Sequence, residues 1–473
     1  MSKLYIFGIG GTGSRVLKAM TMLMASGVRI GQHEIVPIII DPDKSNADMT
    51  RTVQLMDNYI KIHKNLTFAE NNPNCFFRVG LEKSIQNFNI PIKDTDNLTF
   101  RDYINLQGMS RENQALIKML FSDANLDSSM DIGFKGNPNI GSVVLNQVIT
   151  SDEFRSFANS FEQGDKIFII SSIFGGTGAS GFPLLVKTLR TGNNFPNFAL
   201  INDAEIGAVT LLPYFRIKKD PDCEIDSTTF ISKSKSALSY YENNLIGNNQ
   251  VNAIYYLGDT ITDNYDACDG GEGQGNKAHL IELLAATAIV DFSINQFDRN
   301  SSVNKELGIK DIADTDSLIF NSFHDGLKNM LMRPLIQFTL MSKFIGDKFD
   351  LLCSERINAN REYDLDSQFY NSSFMNDLRN FVAKYITWLN EMSINKRQFK
   401  PFNLNCGDNP FTIVEGIQEK KGMLGSHGTF GGKFTEGINE FIGKVVTNNK
   451  SDKFMELFYR STSKLVSDRL KIN

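Results

Sequence analysis

The chain of 473 residues is long for one domain and favours two or three domains with at least one large core. Hydrophobic residues make up 41% and charged residues 22% of the chain, which excludes wholesale disorder. The net charge of −5 gives no broad electrostatic reason to bind nucleic acid or an anionic membrane, and no stretch has the roughly 20 apolar residues that a membrane-spanning helix needs.

Cysteine and histidine usage argues against a disulfide framework or a metal centre. The five cysteines are far apart without C-x-x-C spacing, so a reducing cytoplasm is the expected location. The N-terminal stretch MSKLYIFGIGGTGS runs from a short apolar strand directly into glycines, unlike a signal peptide. Five histidines without H-E-x-x-H or a Cys/His cluster give no support for a transition-metal site, and none is predicted.

Strand-like and helix-like segments alternate over residues 4 to 215. In chain order they are LYIFGI, a helix from about Ser14, EIVPIII, KIFIISSI, a helix over residues 181 to 190, FALIN and AVTLLPYF. Such alternation indicates βαβ units and a parallel sheet with helices on both faces, so the predicted fold class is α/β. Residues 42 to 130, rich in Asn, Asp and Lys, are expected to form an insertion of helices and loops.

The pattern changes further along the chain. Residues 228 to 246 predict a helix and NAIYYLGD predicts another strand. Residues 276 to 298 predict a long central helix that is apolar nearly all round and therefore buried. From about residue 322 the pattern is mainly helical. The chain is therefore divided into an α/β domain over residues 1 to 275, the central helix 276 to 298, and a helix-rich domain over residues 299 to 473.

Three glycine-containing loops lie before predicted helices. They are GIGGTGS, with Gly8, Gly10, Gly11 and Gly13, then GFKGNPNIG over residues 133 to 141, and GGTGASG over residues 175 to 181. A glycine loop before a helix offers backbone N–H groups and the positive end of the helix dipole, so phosphate is the natural ligand. No G-K-[ST] follows any of them, which excludes a Walker A loop.

The order and context of these loops resemble the tubulin/FtsZ superfamily, in which a glycine loop, a G-N-P-x-x-G loop and a G-G-T-G loop surround the phosphates of GTP. The resemblance covers most of residues 1 to 300 and implies a tubulin/FtsZ-like nucleotide-binding domain. It implies contacts to the α- and β-phosphates from Gly10, Gly11 and Thr12. It also implies that Asn137, Pro138 and Gly141 lie near the γ-phosphate. Around the β-phosphate it implies contacts from Gly175, Gly176, Thr177 and Gly178.

The resemblance also suggests where the base and ribose lie. Asn276, together with Gln274, is a candidate for the purine edge, because an amide can both donate to and accept from guanine. His279 could stack on the base instead, and all three residues have loop or helix-cap roles as alternatives. Asp41 and Asp43 follow an apolar strand. In such folds an acid at this position often lies near a ribose or a Mg²⁺-bound water, and the alternative is a solvated loop.

Hydrolysis depends on a loop after the central helix. In the resembled family, acids on this loop are supplied by the neighbouring subunit of a filament and position the attacking water. Asp311 and Asp314 in IKDIADTD have the D-x-x-D spacing and are the candidate catalytic residues, with helix capping or solvation as the alternative. Ile309 replaces the expected asparagine, and residues 330 to 473 read as helical where the family has a β-sheet.

The main hypothesis is a GTP-binding tubulin/FtsZ-like protein with GTP or GDP and Mg²⁺ as cofactors. The resemblance implies a GTPase that self-associates into filaments, so the expected partners are guanine nucleotide and further copies of the chain. A second hypothesis is a non-polymerising nucleotide sensor or scaffold of the same fold. A third is a dinucleotide-dependent or adenylating enzyme, suggested by GIGGTGS with Asp41 after the next strand, but it leaves GNPNIG and GGTG unexplained.

Overall fold

A seven-stranded parallel sheet forms the centre of the computed structural model. The structure describes residues 2–32, 34–43, 45–130, 134, 136–217, 230–260, 263–265, 271, 275–310, 317–407, 409, 412–417 and 429–472. The strands are β1 (Lys3–Ile9), β2 (Glu34–Ile40), β3 (Gly80–Leu81), β4 (Lys166–Ser172), β5 (Glu205–Leu211), β6 (Phe215–Ile217), β7 (Ala253–Leu257), β8 (Asp263–Tyr265), β9 (Val303–Glu306), β10 (Ser317–Leu318) and β11 (Gln398–Phe399).

The main sheet has the order β3-β2-β1-β4-β5-β7-β9, and every neighbouring pair is parallel. Residues 4 to 9 of β1 and 167 to 172 of β4 are all buried, as expected for strands covered on both faces. The predicted α/β fold class with a parallel sheet is therefore confirmed. Two pairs of short strands, β6 with β8 and β10 with β11, lie outside this sheet.

Helices cover both faces of the sheet and form the rest of the molecule. They are α1 (Gly10–Ala25), α2 (Ala47–Lys64), α3 (Phe100–Tyr103), α4 (Arg111–Leu120), α5 (Asp123–Leu126), α6 (Pro138–Val144), α7 (Asp152–Ser160), α8 (Gly176–Thr191), α9 (Phe198–Asn202), α10 (Phe230–Tyr241), α11 (Leu280–Ile294), α12 (Asp325–Asp347), α13 (Phe349–Leu352), α14 (Asn358–Glu362), α15 (Ser367–Tyr370), α16 (Ser373–Ser393), α17 (Phe430–Glu440) and α18 (Lys450–Leu465).

Two neighbouring residues of β1 show how the faces are divided. A β-carbon on Gly8 would approach Leu17 of α1, whereas a β-carbon on Gly181 of α8 would approach Ile9. Because successive residues of a strand face opposite sides, α1 and α8 cover opposite faces of the sheet. Both helices nevertheless begin at the same edge, since each directly follows one of two adjacent parallel strands.

The central helix α11 is buried, as predicted, but it is shorter than the predicted span of residues 276 to 298. It begins after His279, whose Nδ1 accepts a hydrogen bond from the N–H of Ile281, while the carboxylate of Glu282 accepts one from the N–H of His279. This reciprocal cap fixes the helix start at Leu280. The helix ends at Ile294, after which the chain leads to β9 and extends the main sheet beyond residue 298.

The segment FALIN forms the short helix α9. Asn197 precedes it with a positive φ of 51°, and its side-chain amide donates to three carbonyls at the end of α7, those of Ala158, Asn159 and Phe161. A short apolar run is compatible with either strand or helix, so here the turn at Asn197 decides the outcome.

The second half of the chain is mainly helical, as predicted, and packs against the first half through aromatic side chains. The ring of Phe77 lies 5.7 Å from that of Phe338 in α12 and 5.0 Å from that of Phe381 in α16. These residues belong to one continuous hydrophobic core. Within the described ranges, no helix combines the length and apolar character required to cross a membrane.

Candidate functional site

The first and third glycine loops meet at the start of α1 and α8. Gly10 has a positive φ of 70°, a conformation that favours glycine, and a β-carbon placed on it would lie 3.4 Å from the β-carbon of Thr177. Both loops are shorter than the sequence predicts, because Gly10 and Gly176 already lie in the first turn of their helices. The structure thus brings together two of the predicted sites.

The second loop joins the same cluster through Gly136 and Asn137. A β-carbon on Gly176 would lie 3.1 Å from the backbone nitrogens of both residues, and Gly136 has a positive φ of 75°. The loop leads into α6, which begins at Pro138, a favoured first residue because proline has no N–H to leave unpaired. The N-termini of α1, α6 and α8 therefore converge.

None of these three helices has a side-chain cap at its N-terminus. By contrast, α2, α4, α7, α16 and α18 are each capped by a Ser or Asn side chain that accepts from the first turn. The first N–H groups of a helix have no intrahelical acceptor and carry its positive dipole end. The convergent, uncapped termini form a cradle suited to an anion, and we call this cluster the three-helix cradle.

Several of the glycines are required by packing. A β-carbon on Gly13 would collide with the backbone of Gly8, and one on Gly178 would lie 2.6 Å from the carbonyl oxygen of Ser172. A β-carbon on Gly141 would collide with the side chain of Ser180, so the glycine lets α6 pack closely on α8. These glycines let helix backbones approach neighbouring strands and helices closely, independently of any ligand contact.

A buried ionic cluster lies beside the cradle. Arg15 of α1 donates to Glu282 at 2.6 Å, Asp48 at 3.0 Å, Tyr214 at 2.9 Å and Thr12 at 3.3 Å. The hydroxyl of Tyr214 also donates to Glu282 at 3.0 Å. Burial alone lowers the pKa of Arg15, but Tyr214, Glu282 and Asp48 raise it well above its ordinary value, so the guanidinium is charged. This cluster ties Thr12 to α2 and to the start of α11.

Asn276, the predicted purine reader, extends this cluster. Its side-chain amide nitrogen donates to Asp48 at 3.0 Å, and its backbone carbonyl oxygen accepts a long hydrogen bond from Arg51. Arg51 also pairs with Asp48. Asn276 is therefore linked to Thr12 through the carboxylate of Asp48 and the guanidinium of Arg15. It lies at the edge of the cradle where α11 begins. His279, the stacking alternative, packs its ring on Tyr214, with ring centres 4.9 Å apart.

Asp41 and Asp43 follow β2 and are both buried. Asp41 accepts from the N–H of Asp43 and from the amide of Asn46, while Asp43 accepts from Ser45 and from the N–H of Gly271. Burial raises the pKa of Asp41 to about 7, with the neighbouring Asp43 carboxylate adding to the rise. The solvated-loop alternative is therefore wrong for both acids.

Lys233 of α10 was not anticipated from the sequence. Its ammonium donates to the carbonyl of Gly136 at 2.8 Å, so a cation is fixed against the second glycine loop. The only sequence signal is a lysine in a serine-rich helix, FISKSKSALSYY, and nothing in that pattern distinguishes Lys233 from Lys235.

The remaining predicted site residues lie outside the described residues. They include the candidate catalytic acids Asp311 and Asp314 and the second purine candidate Gln274. In the described part of the chain, no group of three or more His, Cys, Asp or Glu side chains could hold a metal ion.

Comparison with known proteins gives structural matches only. No family model and no curated protein matches the chain. A CetZ from Methanosaeta thermophila strain DSM 6194 is 16% identical, with 55% of this chain and 46% of that chain covered and a TM-score of 0.28. Two proteins from Haloferax volcanii, CetZ2 as a GTPγS-bound protofilament and CetZ1 as a GDP-bound monomer, are 12% and 14% identical with TM-scores of 0.27.

For these two, the alignment covers 55% and 54% of this chain and 49% and 51% of theirs, so the chain spans about half the length of each match. The CetZ proteins are tubulin/FtsZ-like. At such TM-scores the superpositions carry no weight of their own, and the fold class rests on the parallel sheet of this chain.

Proposed function

We propose that the three-helix cradle binds the phosphates of GTP or GDP. The observation that carries this proposal is the convergence of three uncapped helix N-termini at the edge of the sheet where α1 and α8 begin. In open α/β sheets, ligands bind outside the carboxyl ends of the strands, and helix N-termini attract phosphate through N–H groups and the dipole.

The residue roles follow the order of the three loops. Gly10, Gly11 and Thr12 contact the α- and β-phosphates, and residues 175 to 178 wrap the β-phosphate. Asn137, Pro138 and Gly141 lie toward the γ-phosphate, and Lys233 supplies positive charge beside them. The close approach of Gly10 to Thr177 and of Gly176 to Asn137 supports this arrangement, since all three loops then reach one ligand.

Guanine would lie toward Asn276 and the start of α11. The amide nitrogen of Asn276 bonds to Asp48 through one hydrogen, which leaves its second hydrogen and its side-chain oxygen for the base. Mg²⁺ would be held mainly by phosphate oxygens and water, because the oxygens of Asp41 and Asp43 already accept hydrogen bonds within the protein.

Hydrolysis and filament formation form the second part of the proposal. Asp311 and Asp314 of one copy would position water at the cradle of the next copy, so turnover would rise with protein concentration. The corresponding division of the chain is a nucleotide-binding domain with its insertion over residues 42 to 130, the central helix, and a helix-rich domain. The position of β9 in the main sheet supports starting the last domain after Glu306.

A non-polymerising sensor of the same fold is favoured by one contact. Glu391 of α16 accepts from Lys18 of α1 at 3.3 Å and from the N–H of Ala278, just before α11, at 2.9 Å. The helical half is thus connected to the two helices that border the cradle. In this alternative, nucleotide exchange would alter a partner contact through α16 without polymer assembly.

The dinucleotide alternative is less well supported. The strand order of the main sheet also occurs in dinucleotide-binding folds, so topology does not distinguish the two. An acid at the end of β2 would have to reach a ribose hydroxyl, whereas Asp41 is 4% exposed and bonded to Asp43 and Asn46. The convergence of the second and third loops also has no role in that alternative.

The substitution Thr177→Glu tests the proposal without disturbing the fold. Thr177 is half-buried at the second position of α8, where a carboxylate stabilises the helix dipole but repels phosphate. We expect the affinity for fluorescent GTP to fall at least about tenfold with unchanged thermal stability. The matched control Thr191→Glu, at the exposed far end of the same helix, should bind normally.

Equal GTP affinity of Thr177→Glu and the wild-type protein would refute the phosphate assignment. Competition by NAD and ATP against GTP then separates the dinucleotide alternative from the guanine-binding one. Sedimentation with GTP, together with turnover measured against protein concentration, distinguishes the filament-forming GTPase from the non-polymerising sensor. Pelleting and a rise in specific activity indicate a filament-forming GTPase, whereas binding without either indicates the sensor.

A further inference from the structure

A separate groove of about 1230 Å³ lies between α12, α16 and residues 404 to 407. Its apolar part includes the buried side chains of Ile345 and Val382. The side of α16 contributes a row of exposed amides, Asn376, Asn380 and Asn390. Sites for small molecules usually measure about 300 to 1,000 Å³, so this groove has room for a longer ligand.

Arg379 provides a cation within this groove. Its guanidinium carbon lies 4.0 Å from the centre of the Phe349 ring, and no carboxylate pairs with it among the residues that the structure describes. The other groove cation, Lys343, bonds to Asp347 at 2.6 Å and to the carbonyl of Leu404 at 2.8 Å. Stacking on Phe349 orients the Arg379 fork while its N–H edge stays open to a carboxylate.

Ser342 supplies a second unsatisfied group on the wall of the groove. It is 1% exposed, and its hydroxyl has no hydrogen-bond partner in the described part of the molecule. Helical serines and threonines ordinarily donate to the carbonyl four residues back, as Ser461 and Thr462 do in α18. A buried hydroxyl without a partner is costly, which a polar ligand group would relieve.

We propose that this groove binds an extended segment of a partner protein that carries an acidic side chain. A side-chain amide has the donor and acceptor of a peptide group, so the asparagine row can pair with a peptide main chain. Lys343, Arg379 and Asp347 together give the groove a charge of +1 in a chain of net charge −5. The acidic side chain pairs with Arg379, and the groove is independent of the three-helix cradle.

A peptide array tests this proposal with the full-length protein. The array holds synthetic 12-residue peptides with Glu at varied positions, each beside its Glu→Gln counterpart. We expect Glu peptides to be selected, and the tightest to bind at least about tenfold better than its counterpart by fluorescence anisotropy. The substitution Arg379→Gln should remove this preference, whereas Arg361→Gln, an exposed arginine outside the groove, should keep it.

A second variant, Ala383→Trp, fills the groove from its exposed α16 wall and should abolish peptide binding. Circular dichroism verifies that each variant is folded, and the fluorescence of Trp388 verifies it as well for the two arginine variants, which keep a single tryptophan. Equal binding of Glu and Gln peptides, or unchanged binding by Arg379→Gln, would overturn the proposal. So would complete displacement by inorganic phosphate, which indicates a small-anion site, or loss of self-association in Ala383→Trp, which indicates a second copy as occupant.

Discussion

The guanidinium of Arg15 donates to the carboxylate of Glu282 at 2.6 Å and joins the second turn of α1 to the first turn of α11, although the two residues are 267 positions apart in the chain. Both side chains are at most 6% exposed. Because Arg15 also bonds to Thr12, the position of a proposed phosphate ligand depends on the start of the central helix.

Removal of the Arg15 charge should strongly destabilise the fold. The substitution Arg15→Met leaves Glu282 buried without its cation and Asp48 with Arg51 alone, and loss of one partner of a buried ion pair typically costs about 3 to 5 kcal/mol. Urea denaturation followed by the fluorescence of Trp388, the single tryptophan, measures the loss. Arg101→Met is the control, since its partner Asp127 is 59% exposed and the pair should contribute less than about 1 kcal/mol.

Lys233 should discriminate between triphosphate and diphosphate. If its ammonium lies beside the γ-phosphate, Lys233→Met weakens binding of GTPγS by about tenfold and changes GDP affinity little. Titration of both nucleotides by fluorescence anisotropy gives the two dissociation constants. Lys235→Met, an exposed lysine of the same helix, should leave both unchanged; an equal loss for GTPγS and GDP in Lys233→Met would contradict a γ-phosphate role.

Asp41 should make stability depend on pH. Its pKa is raised from 3.8 to about 7, so between these values the folded protein holds a proton that the unfolded chain releases. The free energy of unfolding therefore falls as pH rises from about 4 to 7, by roughly 4 kcal/mol at most, and this contribution is constant above pH 7.

The substitution Asp41→Asn removes this titration and should flatten the pH dependence over the same window. Urea denaturation at a series of pH values measures the effect in the nucleotide-free protein. Asp123→Asn, at a side chain that is 87% exposed, is the control. A wild-type slope in Asp41→Asn would show that another group is responsible.

Gly13 should be intolerant of any side chain. Gly13→Ala places a β-carbon against the backbone of Gly8, which forces α1 away from β1 and should cost about 2 kcal/mol or more. Gly326→Ala is the opposite case, because Gly326 is exposed in the first turn of α12 and nothing lies within 4 Å of its added carbon, so a change of less than about 0.5 kcal/mol is expected. Thermal denaturation compares both variants with the wild-type protein.

Gly178 is less suitable than Thr177 for a test of nucleotide binding by substitution. A β-carbon on Gly178 would lie 2.6 Å from the carbonyl oxygen of Ser172, so a variant with a side chain there should be destabilised. Thr177 is the position that separates binding from folding.

The sequence predicted the main elements because each has a strong local signal. The buried strands β1, β2 and β4 are mostly apolar runs, of which β1 leads into glycine and β2 into aspartate, and the central helix is apolar nearly all round. The starts of α1 and α8 were predicted too late. Glycine has low helix propensity, which argues against a helix at Gly10 or Gly176, but close packing on neighbouring backbone stabilises these turns.

The ionic cluster and the groove could not be predicted from local pattern. Arg15 and Glu282 are isolated charges in apolar helical stretches, and this does indicate that each needs a buried partner. Which charges pair is decided by the order of the strands, which brings the start of α11 beside α1. The orientation of the Arg379 guanidinium likewise depends on the position of Phe349, thirty residues away in the chain.

The aromatic contacts of Phe77 with Phe338 and Phe381 also determine how the molecule can be divided. Phe77 lies in the segment that follows α2, while its two partners lie on the long helices α12 and α16. Separation of the two halves would expose these rings to water on both sides of the cut. We therefore expect the helical half to unfold when it is separated from the sheet that carries this shared core.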